Sequence, residues 1–137
     1  EMSASLVGSE MCIRDRYPIE NPLDGQTIPL ILIGGAIKQP LVVDTYASQI
    51  DIAATLLAQL GLPHDEFTFS KNIMNPASPH FAYFTRPNYF GMITADNQLV
   101  YNLDANTVQL DEGTAKGANL EKGKAFLQKL YDDLAKR

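Results

Sequence analysis

The two histidines of the chain are the first candidates for metal binding or proton transfer, because imidazole changes its charge near neutral pH. His64 is followed directly by Asp65 and Glu66, and all three side-chain types can bind divalent metals. Adjacent loop residues rarely converge on one ion, however, and the paired His or Cys spacings of a strong metal site are missing. His80 precedes an aromatic segment, which favours a partly buried structural role. The histidines therefore predict neither a metal site nor a catalytic base.

Glycine, serine and acidic residues are weaker candidates. Gly34-Gly35 follows an apolar run and could approach a phosphate, but the longer glycine-rich fingerprints are absent, so it predicts a tight turn at a strand end. No G-x-S-x-G motif is present to place a serine nucleophile. The acidic pairs Asp111-Glu112, in a loop, and Asp132-Asp133, on an exposed helix face, are expected to be solvated. The residues alone predict no catalytic, cofactor-binding or metal-binding residue.

Aromatic side chains are concentrated in residues 81–90, and they are Phe81, Tyr83, Phe84, Tyr89 and Phe90. Their spacing is typical of β-strands, and large aromatic side chains most often fill a core. A platform on which sugar rings stack is the alternative interpretation. In that case the chain would be a stand-alone module that binds a glycan or a partner through strands 81–90.

The composition indicates a globular chain. It has 137 residues, of which 45% are hydrophobic and 20% charged, and a net charge of −5, which suits one domain or a piece of a larger one. The 11 basic residues are scattered, which argues against a nucleic-acid partner. The longest apolar run, 28–37, is interrupted by Pro29 and two glycines and is shorter than the ~20 residues that a membrane span needs. We therefore expect no membrane contact by this segment itself.

The first sixteen residues differ from the rest of the chain. They show no helical or strand period, and the string SLVGSEMCIRDR resembles a translated sequencing-adapter fragment. A joining segment of that kind carries no information about the fold of the protein. We therefore expect residues 1–16 to be artefactual or disordered and residues 17–137 to carry the fold. The only cysteine, Cys12, lies in the excluded segment, so cysteine usage does not decide the redox compartment.

The remaining pattern predicts an α/β fold. A continuous apolar run over 28–33 is typical of a strand buried on both faces. Apolar residues recur at helical spacing over 48–60, a helix that Ser48 can cap and to whose first turn Asp51 supplies negative charge. A long loop is expected over 64–80. A last helix, capped by Asn119, is predicted over 120–136. Between the loop and that helix, four short segments separated by Asn and Asp turns predict an antiparallel meander: 81–85, 89–94, 99–103 and 107–110.

Three segments resemble the sulfatases and the lipoteichoic acid synthase-like phosphoglycerol transferases of the alkaline phosphatase superfamily. Residues 45–57, TYASQIDIAATLL, with LGLP at 60–63, resemble the family segment S-Q-x-D-[IL]-x-x-T-L-L…L-G. IPLI at 28–31 resembles the strand that precedes this helix, and FSKNI at 69–73 resembles the segment that follows it. The resemblance covers residues 17–137. Its most specific motif packs a helix and does not perform the reaction.

The resemblance implies that residues 17–137 are the C-terminal fragment of a metal-dependent enzyme domain that hydrolyses or transfers phosphate or sulfate esters. Family enzymes use manganese or zinc to activate a threonine, serine or modified cysteine nucleophile and to neutralise charge on the transferred group. Their Asp-His metal pair lies shortly before the IPLI strand, where this chain has Asp15-Arg16. A guanidinium has no free lone pair and cannot replace histidine. No cofactor, metal ligand or nucleophile is therefore expected in this chain.

The resemblance also implies a location and a partner. The members of the resembling family suggest a cell-membrane protein with a periplasmic or extracellular catalytic domain. The partner of residues 17–137 would then be the missing N-terminal part of that domain. The fragment itself is expected to be inactive. Sulfatase and phosphotransferase are not distinguished, because the nucleophile that separates them lies upstream. A third possibility is that the fragment folds poorly alone, because strand 28–33 would lack the strands that cover it.

Overall fold

The computed structural model describes residues 2–5, 21–23, 25–34 and 39–137. The chain divides into two compact units, Glu1–Val42 and Val43–Arg137. The first unit contains a two-stranded sheet, and the second contains a four-stranded antiparallel sheet and two α-helices. The chain is therefore a mixed α/β protein, as the sequence predicts.

The sheet of the first unit pairs strand β1 (Met2–Ser5) with strand β2 (Ile31–Gly34) in antiparallel register, Met2 opposite Gly34. The expectation that the strand at 28–33 is buried on both faces is wrong for the described structure, since Ile31 is 52% and Ile33 62% exposed. A pair of strands cannot cover both faces of either member. The strand at Met2–Ser5 was not expected from the pattern of residues 1–16. Asp15-Arg16, which stands where the resembling family has its Asp-His metal pair, lies outside the described residues.

The second unit is built on the expected meander. Its strands pair in chain order, β3 (Ala82–Arg86), β4 (Tyr89–Ile93), β5 (Asn97–Asn102) and β6 (Thr107–Gly113), and every pair is antiparallel. Because side chains alternate between faces, one face of the sheet collects the apolar core: Tyr83, Phe90, Met92, Leu99 and Tyr101. This confirms the prediction of an antiparallel meander and moves its third strand two residues towards the N-terminus.

The last helix, α2 (Ala118–Lys136), covers that core face. Leu127 is buried in the core, and Gly123 lies so close to the Phe90 ring that a Cβ atom at this position would overlap it. The expected cap at Asn119 is wrong. Gly117, with φ +79°, precedes the helix, and Asn119 is buried inside the first turn.

The first helix, α1 (Ile52–Gln59), follows a 3₁₀ turn at Gln49–Asp51, which together confirm the helix expected over 48–60. The backbone N–H of Ser48 donates to Oδ2 of Asp51 at 2.8 Å, so the predicted cap residue does begin the helical segment. Gly61, with φ +68°, follows its end, where a residue without Cβ adopts this conformation at no steric cost. From Gly61 to Phe81 the chain runs through turns without helix or strand, as predicted for 64–80.

Candidate functional site

The residues that the sequence offered as metal ligands do not converge. His64 is half-buried, whereas the neighbouring Asp65 and Glu66 are exposed. His80 is exposed, so its expected partly buried role is wrong. Within the described ranges, no three His, Cys, Asp or Glu side chains lie close enough together to hold a metal ion. These side chains therefore do not fit the divalent metal that the family resemblance implies.

Three of the four paired acids accept hydrogen bonds from the protein rather than being simply solvated. Asp111 lies in β6, not in a loop, and its Oδ1 accepts hydrogen bonds from Nδ2 of Asn97 at 2.6 Å and from the backbone N–H of Gly117 at 3.1 Å. These two donors, chiefly Asn97, lower the pKa of Asp111 below its usual value of 3.8. On α2, Asp132 accepts from Gln128 at 2.8 Å and Asp133 from Arg137 at 2.7 Å. Asp111, Asp132 and Asp133 thus each have a local structural partner, and Glu112 is exposed, as expected.

A buried polar cluster of the second unit surrounds Asp51, at the start of the helical segment. Asp51 is 1% exposed and forms an ion pair with Lys71, whose Nζ lies 2.6 Å from Oδ2 of Asp51. The backbone N–H of Lys71 also donates to Oδ1 of Asp51 at 2.9 Å. The Lys71 ammonium lies 4.0 Å from the centre of the Phe81 ring, a cation–π contact on its other side. The start of the helical segment, the loop and the residue before β3 are therefore joined at one buried charge pair.

Two hydroxyl groups extend this cluster along α1. Thr55 is 1% exposed, and its Oγ1 donates to the Asp51 carbonyl at 2.6 Å and accepts the Ile73 backbone N–H at 3.1 Å. Ser70 Oγ accepts the backbone N–H of Ala54 at 2.9 Å. The helix is thereby attached to residues 70–73 through side chains on a single face. We call Asp51, Thr55, Ser70 and Lys71 the clasp.

Ser48 connects the clasp to the sheet. Its Oγ accepts the backbone N–H of Tyr83, the second residue of β3, at 2.6 Å. Ser48, Asp51 and Thr55 of the S-Q-x-D-x-x-x-T motif therefore position the helix, the loop and the edge strand. An activated nucleophile needs a base within hydrogen-bond reach, whereas these hydroxyl groups contact backbone atoms. The arrangement is structural, and it contains no catalytic pair.

The sequence pattern did not reveal Lys71 as the partner of Asp51. One signal was present, because Asp51 and Thr55 are polar residues four apart in a helical segment that is otherwise apolar. Such side chains share a helix face and need buried partners. The pattern could indicate that partners exist, but it could not identify a residue twenty positions away.

A second buried polar cluster connects α2 to the meander. Asn119 Nδ2 lies within hydrogen-bond distance of the Met92 carbonyl at 3.2 Å, Thr94 Oγ1 at 3.1 Å and the Asn97 carbonyl at 2.6 Å. The backbone N–H of Asn119 donates to Oδ1 of Asn97 at 3.1 Å. Both asparagines are 1% exposed. The pair fixes where the helix begins over the sheet, and it carries no reactive group.

The aromatic residues of 81–90 divide between the two faces of the sheet. Tyr83 and Phe90 are 7% and 0% exposed and stack with ring centres 5.9 Å apart, so they belong to the core. Phe84 and Tyr89 lie on the opposite face, half-buried and edge to face at 6.3 Å. The Phe84 ring covers Gly91 on the neighbouring strand, where a Cβ atom would overlap it. Of these aromatic residues, Phe84 and Tyr89 alone lie on the face where sugar rings could stack.

Tyr83 contains a buried hydroxyl group that makes no hydrogen bond to the described part of the chain. Burial raises the pKa of this phenol above its usual value of 10, and charge on Tyr131 adds to the shift. The hydroxyl is surrounded by core residues and lies outside the lining of the cleft described next. It offers a protonated phenol at neutral pH but no neighbouring reactive group.

A shallow cleft of about 310 Å³ lies along the C-terminal half of α2, beside Thr68 and Phe69. The helix contributes the Gln128 amide and side chains of both charge signs to it: Lys129, Asp132, Asp133 and Lys136. None of these side chains is buried, so water competes for each of them. The cleft has no group placed to select a ligand.

The described helices include none that is long and apolar enough to cross a membrane. Comparisons of the chain with protein-family models, with curated protein sequences and with solved structures find no match.

Proposed function

We propose that residues 17–137 are the C-terminal part of a sulfatase-like domain in the alkaline phosphatase superfamily. The complete enzyme would hydrolyse or transfer phosphate or sulfate esters, as the phosphoglycerol transferases do, from a membrane-anchored position outside the cytoplasm. The chain described here would contribute structure, while the nucleophile and the manganese or zinc ligands would come from the upstream part. By itself it would be inactive.

The clasp is the observation that supports this proposal. Ser48, Asp51 and Thr55, the polar residues that carry the family resemblance, each hold backbone groups of β3 or of residues 70–73. These contacts position a helix against the segments that it packs on. Residues 69–73, which also resemble the family, are the segment to which the motif binds. The two similar segments are thus physically coupled to each other.

Exposed apolar side chains give further support. Of the fifteen large hydrophobic residues exposed in the described structure, twelve lie between Ile28 and Phe67 and three lie in the meander and last helix. Large apolar side chains that a segment leaves in water are expected where that segment packs against other polypeptide. This distribution is expected if the meander and α2 form a finished core, whereas the preceding segments pack against polypeptide that this chain lacks.

The decisive experiment starts from the uninterrupted reading frame upstream of Tyr17. The proposal expects an Asp-His pair shortly before the IPLI strand and a Thr, Ser or Cys nucleophile further upstream. The complete protein, assayed with manganese or zinc and aryl phosphate, aryl sulfate and phosphoglycerol lipid substrates, should turn over at least one of them. The present chain should turn over none. Turnover by residues 17–137 alone, or an upstream frame without these residues, would refute the proposal.

The glycan-binding alternative is tested with the same chain. Titration with soluble glycans, followed by tyrosine fluorescence, should leave the emission unchanged if the fragment proposal is right. Saturable quenching that disappears in the Phe84→Ala variant would favour the alternative, because Phe84 and Tyr89 are the aromatic pair on the outer face of the meander.

A further inference from the structure

Residues 48–80 contain the first helical segment and the turn-rich loop that follows it, and we call them the strap. The side chains that the strap buries are mainly polar. Asp51 and Thr55 are each 1% exposed, whereas Ala54 is the only strap residue among the eight buried hydrophobic residues of the described structure. The other seven lie in the meander and α2. The apolar core therefore belongs to the meander and α2, and the strap packs outside it.

The strap is held together chiefly by polar contacts within itself. The clasp joins the helical segment to residues 70–73 through an ion pair and hydrogen bonds. The backbone N–H of Leu62 also donates to the Leu57 carbonyl at 2.9 Å, which closes the end of α1. Helix α1 has eight residues, and an isolated helix of that length is not stable in water. A strap that leaves the sheet is therefore expected to lose its internal hydrogen bonds at the same time.

A hydrogen bond and an aromatic contact tie the strap to the meander and to α2. Ser48 Oγ accepts the backbone N–H of Tyr83 at 2.6 Å. The Phe69 ring lies edge to face on Phe126 of α2, with ring centres 5.6 Å apart. Tyr83 belongs to β3, which lies at one edge of the four-stranded sheet. The closed strap thus lies against a strand edge and an aromatic side chain.

These two kinds of packing differ in the free energy that they contribute. Burial of apolar surface is the main favourable term in folding, whereas a hydrogen bond inside a protein replaces one to water and contributes little net free energy. Segments with few buried apolar side chains therefore open at a lower free energy than the core does. In this chain the boundary between the two kinds of segment falls between the strap and β3.

We propose that the strap is a conformational device that unfolds and closes again as one unit while the meander and α2 stay folded. The clasp and the hydrogen bond between Ser48 and Tyr83 set how often it opens. Opening frees the Tyr83 backbone N–H at the edge of β3 and removes Phe69 from the Phe126 ring. The closed strap thus controls access to one edge of the sheet. This behaviour belongs to the 137-residue chain itself and does not depend on the proposed function.

Native-state hydrogen exchange of the 137-residue chain at low urea concentrations tests the proposal, because it measures an opening free energy for each protected amide. The backbone amides of Ala54 and Ile73, which donate to Ser70 and Thr55, report on the strap. The buried amide of Asn119 reports on the core. The two strap amides should share one opening free energy and one urea dependence, and both values should be lower than those of Asn119.

Ser48→Ala distinguishes the opening of a unit from local fraying. It removes the acceptor of the Tyr83 N–H, so the strap should open about fivefold more often or more. Neither Ala54 nor Ile73 is bonded to Ser48 Oγ, yet both amides should exchange faster by the same factor. Thr68→Ala removes an exposed hydroxyl group from the same segment and is the matched control. It should change neither amide.

Two further variants separate the strap from the core. Lys71→Met removes the ion pair of the clasp and should accelerate exchange at Ala54 and Ile73 without changing Asn119. Asn119→Ala should destabilise the core, and exchange at Ala54 and Ile73 should stay as in the wild type, because the strap opens without the core. Equal opening free energies for strap and core amides in the wild type would overturn the proposal. So would a Ser48→Ala variant that leaves Ile73 unchanged or accelerates Asn119 as much as Ala54.

Discussion

Asp51 and Lys71 form a buried ion pair between residues twenty positions apart, with 2.6 Å between Oδ2 and Nζ. Their side chains are 1% and 11% exposed. Two backbone N–H groups, of Ser48 and Lys71, complete the hydrogen bonding of the carboxylate. Because one partner begins a helix and the other belongs to a loop without regular structure, this contact is a main tertiary restraint on residues 61–81.

Removing the carboxylate should be strongly destabilising. Asp51→Ala leaves the Lys71 ammonium buried without its counter-charge, and loss of one partner of a buried pair costs about 3–5 kcal/mol. Lys71→Met should cost less, since Asp51 would keep two backbone donors and the methionine would still pack on Phe81. Urea unfolding of the two variants measures the difference. Asp133→Ala, which removes the exposed pair with Arg137, is the control and should cost about 1 kcal/mol or less. An Asp51→Ala variant as mild as this control would contradict the assignment.

Asn119 should stabilise the junction between α2 and the meander. Asn119→Ala removes the Nδ2 donor from the Met92 and Asn97 carbonyls and leaves buried acceptors unpaired, at a cost of about 1–3 kcal/mol. Hydrogen exchange should also become faster for the Asn119 amide, which donates to Asn97 in the intact protein. Gln109→Ala, at an exposed position of β6, should change stability by no more than about 0.5 kcal/mol. If the two substitutions are equivalent, Asn119 does not hold the helix.

Asp111 should contribute to stability in a pH-dependent way. Its pKa is lowered in the folded state, chiefly by the hydrogen bond from Asn97. The folded state therefore stabilises the ionised carboxylate relative to the protonated form. The contribution is therefore complete above the unfolded pKa near 3.8 and is lost as the pH falls through the lower folded pKa. Asp111→Asn retains Oδ1 as an acceptor but does not titrate. The stability difference between wild type and this variant should shrink between about pH 5 and pH 2.

The control for this pH series is Gln109→Ala, at an exposed residue of β6 that carries no titratable group. Its difference from wild type should stay constant over the same pH range. Urea midpoints measured at each pH decide the matter, and a difference for Asp111→Asn that stays constant down to pH 2 would show that its carboxylate is not preferentially stabilised.

The Tyr83 hydroxyl should be dispensable for stability. Tyr83→Phe removes a buried group that has no hydrogen-bond partner among the described residues, so stability should be unchanged or increase by up to about 1 kcal/mol. Tyr101→Phe is the contrast, since Tyr101 is hydrogen-bonded to Asn106, and it should lower stability. Alkaline titration of absorbance at 295 nm gives a second measurement. Because the pKa of Tyr83 is raised, its ionisation should accompany unfolding, and an early tyrosinate signal lost in Tyr83→Phe would contradict its burial.

The sequence predicts most of the strands and helices, but it predicts only those contacts of the candidate site that lie within a few residues of each other. Ser48 was identified as the beginning of a helix because a capping residue, an acid three positions later and an apolar period all lie within a few residues. The same local rule is wrong for Asn119, because it predicts that an asparagine at the start of a helix is the N-cap residue. Its actual acceptors, on Met92 and Asn97, are more than twenty residues away.

By itself, the sequence determined the four-strand meander, the two helices and the long turn-rich segment between them, because turn residues and apolar periods act over short distances. Only the tertiary structure decided that Lys71 pairs with Asp51, that Asn97 and Asn119 join helix to sheet, and that Ile31 and Ile33 remain exposed on a two-stranded sheet. The physical reason is that burial and hydrogen-bond partners depend on which distant segments meet, and a local pattern shows only that a side chain requires a partner.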